Sequence, residues 1–250
     1  MKKTALITGA TSGIGRATAT LFAKNNYKVI LCGRREDRLL EVQKELSEFT
    51  ETHTLLFDVR DKKAVFKKIN SLPETFANID VLINNAGNAH GLDPIQNGDL
   101  DDWDAMIDIN VKGLLYVSKA VIPIMIERKS GHIINIGSVA GKEVYPNGNV
   151  YCASKFAVDA LNKSMKMDLN PYGIRVGAIH PGLVNSEFSE VRFKGDVERA
   201  ANTYKGIQPL VPEDIADIIH FVVSRPYHVN IADLIIMPTA QASATIVKRD

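Results

Sequence analysis

The chain has 250 residues, 30 basic against 29 acidic side chains for a net charge of +1, and 45% hydrophobic residues. That length suits one large α/β domain whose core needs no metal or disulfide, and the balanced charge leaves no chain-wide field for nucleic acid or an acidic membrane surface. The two cysteines, Cys32 and Cys152, lack C-x-x-C or metal-type spacing, which reads as two packed thiols in a reducing compartment.

At the amino terminus, MKKTALITGA reaches threonine and glycine after four residues of a hydrophobic run. This is too short for a signal peptide or a membrane span, so the expected location is cytoplasmic. TALIT at 4–8 reads as a strand buried on both faces, and it runs into TGATSGIG. A plain strand-to-helix turn needs one glycine. Here Gly9, Gly13 and Gly15 fall within seven residues, where they permit positive φ and bring backbone N–H groups and a helix N-terminus toward a pyrophosphate. The nucleotide loop is therefore expected at Gly9, Ala10, Thr11, Ser12, Gly13, Ile14 and Gly15, with a helix over 14–25.

The second strand, KVILC at 28–32, ends in CGRRED, and a helix is expected over 36–47. Many dinucleotide folds place an acid at this strand end to hold a ribose 2′-hydroxyl. Arg34 and Arg35 stand there instead, and guanidinium groups suit a 2′-phosphate, favouring NADP over NAD. The competing reading pairs both arginines with Glu36 and Asp37.

HTLLF at 53–57 is the third strand, followed by Asp58 and Val59 and a helix over 61–70; VLIN at 81–84 is the fourth, followed by Asn85, Ala86 and Gly87. Strand carboxyl ends of a parallel sheet face the ligand crevice, so Asp58 and Val59 are candidates to flank an adenine and Asn85 to Gly87 a ribose. Taken singly, such residues also cap helices and turns. A long helical pattern over 101–127 precedes HIINI at 132–136, the fifth strand, which leads into GSVAG and places Ser138 on the same edge. Alone, Ser138 reads as a turn residue; its weight comes from Tyr151 and Lys155.

The helical stretch 150–170 contains YCASK, with Tyr151 four residues before Lys155. On a helix these share a face about 5 to 6 Å apart. A phenol with pKa about 10 is a poor base at neutral pH, but a cation about 4 Å away at an effective dielectric of about 20 is worth roughly 4 kcal/mol, enough to bring it close to neutrality. The competing reading is a surface tyrosine beside a solvated lysine. RVGAIH at 175–180 is the sixth strand, and the polar, aromatic stretch 184–206 after it reads as a mobile substrate flap before a helix starting near Pro212. Six strands alternating with helices predict one doubly wound, Rossmann-like parallel sheet flanked by helices on both faces, as a single domain over 1–250.

In their order and spacing, T-G-x-x-x-G-I-G, N-N-A-G, the serine after strand five, Y-x-x-x-K and HPGLV at 180–184 resemble the short-chain dehydrogenase/reductase family over about residues 3–240. The resemblance implies that Tyr151 is the proton donor or acceptor and Ser138 the hydrogen-bond partner of the substrate oxygen. It gives Lys155 the nicotinamide ribose and the tyrosine pKa, and Asn110 the ordering of the helix and of a water leading to Lys155. It adds Pro181, Gly182, Leu183, Val184 and Ser186 to the coenzyme contacts; Ser186 stands where many members carry threonine. Ser12 occupies a position often basic in NADP-preferring members, which leaves the phosphate to Arg34 and Arg35.

PGLVNSEFSEVRFKGD and NGNVY further resemble the bacterial NADP-dependent 3-hydroxy acid dehydrogenases, a subgroup that also oxidises L-allo-threonine and serine. That implies hydride transfer between NADP(H) and a small 3-hydroxy or 2-amino-3-hydroxy acid, and a cytoplasmic homotetramer. An acid substrate needs a cation; Arg192 and Lys194 in the flap are candidates, with solvated surface charge as the alternative. A broad-specificity NADPH-dependent carbonyl or sugar reductase has the same core motifs, and a non-catalytic nucleotide sensor would keep the glycines without needing Tyr151 and Lys155.

Overall fold

The computed structural model describes residues 2–250. Its strands are β1 (Thr4–Thr8), β2 (Lys28–Gly33), β3 (Thr52–Leu56), β4 (Val81–Asn84), β5 (Gly131–Ile136), β6 (Ile174–Pro181) and β7 (Asp233–Ile236). Its α-helices are α1 (Gly13–Lys24), α2 (Glu36–Leu46), α3 (Lys62–Asn70), α4 (Glu74–Ala77), α5 (Leu100–Ile107), α6 (Leu114–Arg128), α7 (Asn149–Leu169), α8 (Phe188–Arg192), α9 (Val197–Asn202) and α10 (Pro212–Ser224). The strands form one parallel sheet of order β3-β2-β1-β4-β5-β6-β7.

Neighbouring residues of β1 show why the strands are continuous apolar runs. Ala5 and Ile7 pack in one core with Phe22 of α1 and Ile215 and Ile219 of α10, while Leu6 packs in another with Val117 and Val121 of α6 and Val158 of α7. With helices on both faces, neither side of the strand meets water. Each fully buried side chain such as Phe22 or Ile219 is worth about 1.5–3 kcal/mol. The chain steps outward from β1 to β2 and β3, then crosses back to β4 on the other side of β1. At that reversal the connections leave in opposite directions and open a crevice over the strand carboxyl ends.

The six expected strands are present within two residues of their expected bounds, and the doubly wound sheet is the one expected. β7 was not anticipated. It is a four-residue edge strand with alternating exposed and half-buried positions, so it lacks the apolar continuity of β1, β2 and β4; β3, at the opposite edge, is likewise mostly half-buried rather than covered on both faces as expected. The helix expected over 101–127 is interrupted: α5 and α6 are joined by a π-helical turn, Asp108–Gly113. Such a turn inserts a residue into the helical repeat and commonly marks a functional position. The flap stretch 184–206 carries α8 and α9 rather than irregular chain alone.

Candidate active site

A crevice of about 450 Å³ lies over the carboxyl ends of the central strands, a size suited to an organic ligand. At the β1–α1 junction Gly9 has φ +66° and Gly13 φ +51°, the left-handed region where a side chain is strained. Gly9, Thr11, Ser12, Gly13 and Ile14 line the crevice. Ala10 and Gly15 do not, which corrects the expected contact set. Ala10 is wholly buried in the core, with its N–H donating to the Cys32 carbonyl at 3.1 Å. Gly15 lets α1 close on β1, since a Cβ there would collide with the Gly9 carbonyl and the Asn85 amide.

Arg34 and Arg35 both line the crevice, and neither hydrogen-bonds or ion-pairs with Glu36 or Asp37. Arg34 Nη1 lies 3.7 Å from Asp58 Oδ2, and Arg35 Nη2 donates to the Thr11 and Ser12 hydroxyls at 3.0 and 3.2 Å. Asp58 and Val59 also line the crevice. Burial acts to raise the Asp58 pKa, but hydrogen bonds from Arg60 and the charges of Arg60 and Arg34 outweigh it and hold the carboxyl below its ordinary value.

Asn85, Ala86 and Gly87 line the crevice after β4. The Asn85 amide is committed to the protein, donating to the Thr8 and Gly9 carbonyls at 2.8 and 3.3 Å, and the N–H groups of Asn85 and Ala86 donate to the Thr8 hydroxyl. Asn85 thus sews β4 to β1 and presents backbone to the crevice. Behind it runs a buried amide relay: Asn84 Nδ2 donates to Ser118 Oγ and Asn135 Oδ1, both at 2.9 Å, and Asn135 Nδ2 donates to Asn162 Oδ1 at 3.0 Å. The relay had no signature in the sequence beyond single asparagines in apolar runs.

Ser138, Tyr151 and Lys155 meet on the opposite wall. Ser138 follows β5 in extended backbone and accepts from the Ala140 N–H at 3.1 Å. Tyr151 and Lys155 lie one turn apart on α7 with relative exposures of 8% and 6%. Lys155 Nζ donates to the Ile136 carbonyl at 2.9 Å and sits 5.9 Å from the Tyr151 ring centre. The placement is the one expected, but the electrostatics are not. Burial, then the neighbouring Tyr145, pushes the Tyr151 phenol above its ordinary value, with Ser138 and Arg192 pulling the other way. Burial lowers Lys155 from 10.5 to about 8. Desolvation therefore outweighs any acidifying effect of Lys155, whose ammonium is engaged by a carbonyl.

Asn110 sits in the π-helical turn, buried, with its Oδ1 accepting from the Asn88 N–H at 2.9 Å and its Nδ2 donating to the Asn88 carbonyl at 2.8 Å and Ser154 Oγ at 3.0 Å. A Cβ on Gly87 would come within 3.0 Å of Asn110 Oδ1 and 3.6 Å of Lys155 Nζ, so the bare glycine backbone opens the space in front of both. Pro181, Gly182, Leu183, Val184 and Ser186 line the crevice after β6. Gln241 fixes this segment by accepting from the Leu183 N–H at 2.8 Å. Beneath Ser138, His180 packs against its carbonyl at 3.3 Å and meets Asp233 of β7 at 2.9 Å, while Lys142 joins Asp233 and Asp159 at 2.6 and 2.8 Å. The unanticipated edge strand thus braces the serine turn.

The flap delivers Arg192 to the crevice. Its Nε donates to the Gly91 carbonyl at 3.1 Å and its Nη1 to the Tyr145 hydroxyl at 3.0 Å, with the guanidinium carbon 5.5 Å from the Tyr151 ring centre. Lys194 goes elsewhere: it pairs with Asp102 at 3.0 Å and Asp99 at 3.7 Å and does not line the crevice, so it is no longer a candidate. Tyr145, which shares Arg192, was missed because no local pattern distinguishes it.

The residues present fit a dinucleotide: a glycine-shaped turn before a helix N-terminus, paired arginines at the second strand end, and a buried Asn88 Oδ1 at the crevice without a hydrogen-bond partner among the described residues. A family profile described as short chain dehydrogenase matches residues 3–196. The NADP-dependent 3-hydroxy acid dehydrogenase of Salmonella typhi is 47% identical over 240 residues, covering 96% of each chain. Sulfoacetaldehyde reductase 2 of Chromohalobacter salexigens is 46% identical over 252 residues, covering 100% of each. Among solved structures, the closed form of a serine dehydrogenase complexed with NADP+ aligns with TM-score 0.93 at 44% identity, covering 99% of this chain and 100% of that one.

Proposed function

The chain belongs to the short-chain dehydrogenase family, and on that premise we propose that it is an NADP-dependent oxidoreductase acting on the hydroxyl-bearing carbon of a small 3-hydroxy acid or 2-amino-3-hydroxy acid. One observation carries the substrate class: Arg192 stands over the Tyr151 ring, with its Nη1 on Tyr145. With Nε on the Gly91 carbonyl and Nη1 on Tyr145, the remaining Nη2 of Arg192 would meet the acid group while the alcohol carbon faces Tyr151.

NADP(H), when bound, supplies the hydride chemistry. Gly9, Thr11, Ser12 and Gly13 would hold its pyrophosphate side, Arg34 and Arg35 its 2′-phosphate, and Pro181 to Val184 with Ser186 its nicotinamide end. The protein's own work is on the proton and the substrate oxygen. Tyr151 gives its phenolic proton to the oxygen in reduction and takes it in oxidation. Ser138 donates a hydrogen bond to the same oxygen. Lys155, one turn from Tyr151 with its Nζ on the Ile136 carbonyl, would hold the nicotinamide ribose and favour the phenolate when oxidation calls for it, and Asn110 fixes the Asn88 backbone beside it. With its pKa raised, Tyr151 is protonated at neutral pH and ready for reduction; oxidation requires the cations nearby to stabilise the phenolate.

A second reading has a specific observation behind it: the full-length likeness to a sulfoacetaldehyde reductase. Arg192 suits a sulfonate as well as a carboxylate. The comparison of kcat/KM for serine, 3-hydroxypropionate, sulfoacetaldehyde and a neutral secondary alcohol in Arg192→Ala tests the assignment. A loss on the acids at least about tenfold greater than on the neutral alcohol is expected, since a hydrogen bond to a charged group is worth about 1.5–3 kcal/mol; equal losses would remove Arg192 from anion recognition.

We also read the chain as a cytoplasmic homotetramer. The apolar side chains left exposed on α6 and α7, among them Leu115, Phe156 and Met167, support subunit packing along these helices. Light scattering during size-exclusion chromatography tests the stoichiometry.

A further inference from the structure

The guanidinium assigned to the 2′-phosphate is already engaged. Arg35 Nη2 donates to the Thr11 hydroxyl at 3.0 Å and the Ser12 hydroxyl at 3.2 Å, and Nη1 reaches Glu187 Oε2 at 3.4 Å. Glu187, directly before α8 at the foot of the flap, is also held by Arg38, whose Nη1 donates to both carboxylate oxygens at 2.8 Å. A guanidinium has two forked edges, one pairing Nε with Nη2 and the other Nη1 with Nη2. Both use the nitrogen committed to the two hydroxyls, and the second also uses the nitrogen facing Glu187. A phosphate gripped in bidentate fashion by Arg35 must therefore exchange one of these partners.

We propose that Glu187 is a coenzyme-specificity residue: its carboxylate competes with the 2′-phosphate of NADP(H) for Arg35, and Arg38 tempers that competition by holding the carboxylate aside. The inference rests on the reading of Arg34 and Arg35 as the phosphate clamp. Both competitors are anions, so they attract the same guanidinium and repel each other. A phosphate brings a charge of about −2 to a place where Glu187 already carries −1. NAD(H), with a hydroxyl in place of the phosphate, meets no such rival. Because Arg35 and Glu187 are 39% and 43% exposed, solvent screens the pair and the effect is modest, about two- to fivefold in affinity.

The test is fluorescence titration of NADPH and of NADH into coenzyme-free wild-type protein and the variants Glu187→Gln, Arg38→Gln, the double variant and Arg35→Ala. Glu187→Gln should tighten NADPH about two- to fivefold and leave NADH unchanged. Arg38→Gln should weaken NADPH by a similar factor, because Glu187 then has only Arg35; the double variant should return to the Glu187→Gln affinity. An unchanged NADPH-to-NADH ratio in Glu187→Gln, or equal weakening of both coenzymes, overturns the proposal in favour of a flap latch indifferent to the phosphate. A double variant as weak as Arg38→Gln overturns it too, by placing Arg38 on the phosphate directly. Arg35→Ala separates the layers: if it leaves the ratio unchanged the clamp itself is wrong and this inference falls with it, whereas a lowered ratio with no Glu187→Gln effect overturns this inference alone.

Discussion

The buried ammonium of Lys155 makes a quantitative prediction for the coenzyme-free protein. Its pKa falls from 10.5 to about 8 through burial. A lysine whose native pKa lies below its unfolded value holds fewer protons in the native than in the unfolded state over the interval between the two, so stability rises as pH rises through it. Between pH 7 and 9.5 the gain from this one group is about 2 kcal/mol, and the full difference of the two pKa values is worth about 3 kcal/mol. Lys155→Met removes the titration while keeping a similar volume, at a pH-independent cost of about 1 kcal/mol for the Ile136 carbonyl that loses its donor. Tyrosines and cysteines also ionise in this range, but equally in both proteins, so the quantity to follow is the difference between them. In urea unfolding from pH 7 to 9.5, wild type should gain about 2 kcal/mol on the Met variant. A difference that stays flat across the range would show that Lys155 is not a desolvated cation in the coenzyme-free protein.

The same geometry sets three further expectations. Tyr151→Phe should lower turnover on the order of 10²–10⁴-fold by removing the proton donor, while NADPH titration shows that the crevice still binds coenzyme; undiminished turnover would refute the assigned role. Gly137→Ala puts a Cβ onto the buried His180 ring and should cost about 1–3 kcal/mol by overpacking, with kcat falling more than KM rises because Ser138 is the next residue; urea unfolding and steady-state kinetics check the two halves. Gly9→Ala places a side chain at φ +66°, within 3.1 Å of the Ala86 Cα, and should weaken NADPH and NADH together, in contrast to Arg35→Ala, whose loss should fall on NADPH.

Local chemistry explains what was legible in the amino-acid order. The glycines of 9–15 mark a turn because positive φ is a property of one residue, and Tyr151 and Lys155 announce their shared face because helix geometry repeats over four residues. The apolar runs of the central strands β1, β2, β4 and β5 mark burial on both faces for the same local reason, and together with the helices between them they fix the doubly wound sheet. Folding alone decided the rest, since it depends on residues far apart in sequence. Arg35 and Glu187 are 152 positions apart, Arg192 and Tyr145 are 47, and the relay Asn84, Asn135 and Asn162 spans three elements. β7 became a strand because β6 offered it an edge, and the Lys142 ammonium and the buried His180 ring hold Asp233 there. The sign of the Tyr151 perturbation belongs to the same class: spacing put a cation one turn away, but only the packed protein determined how much water each group lost, and in a low-dielectric interior that loss outweighs the neighbouring charge.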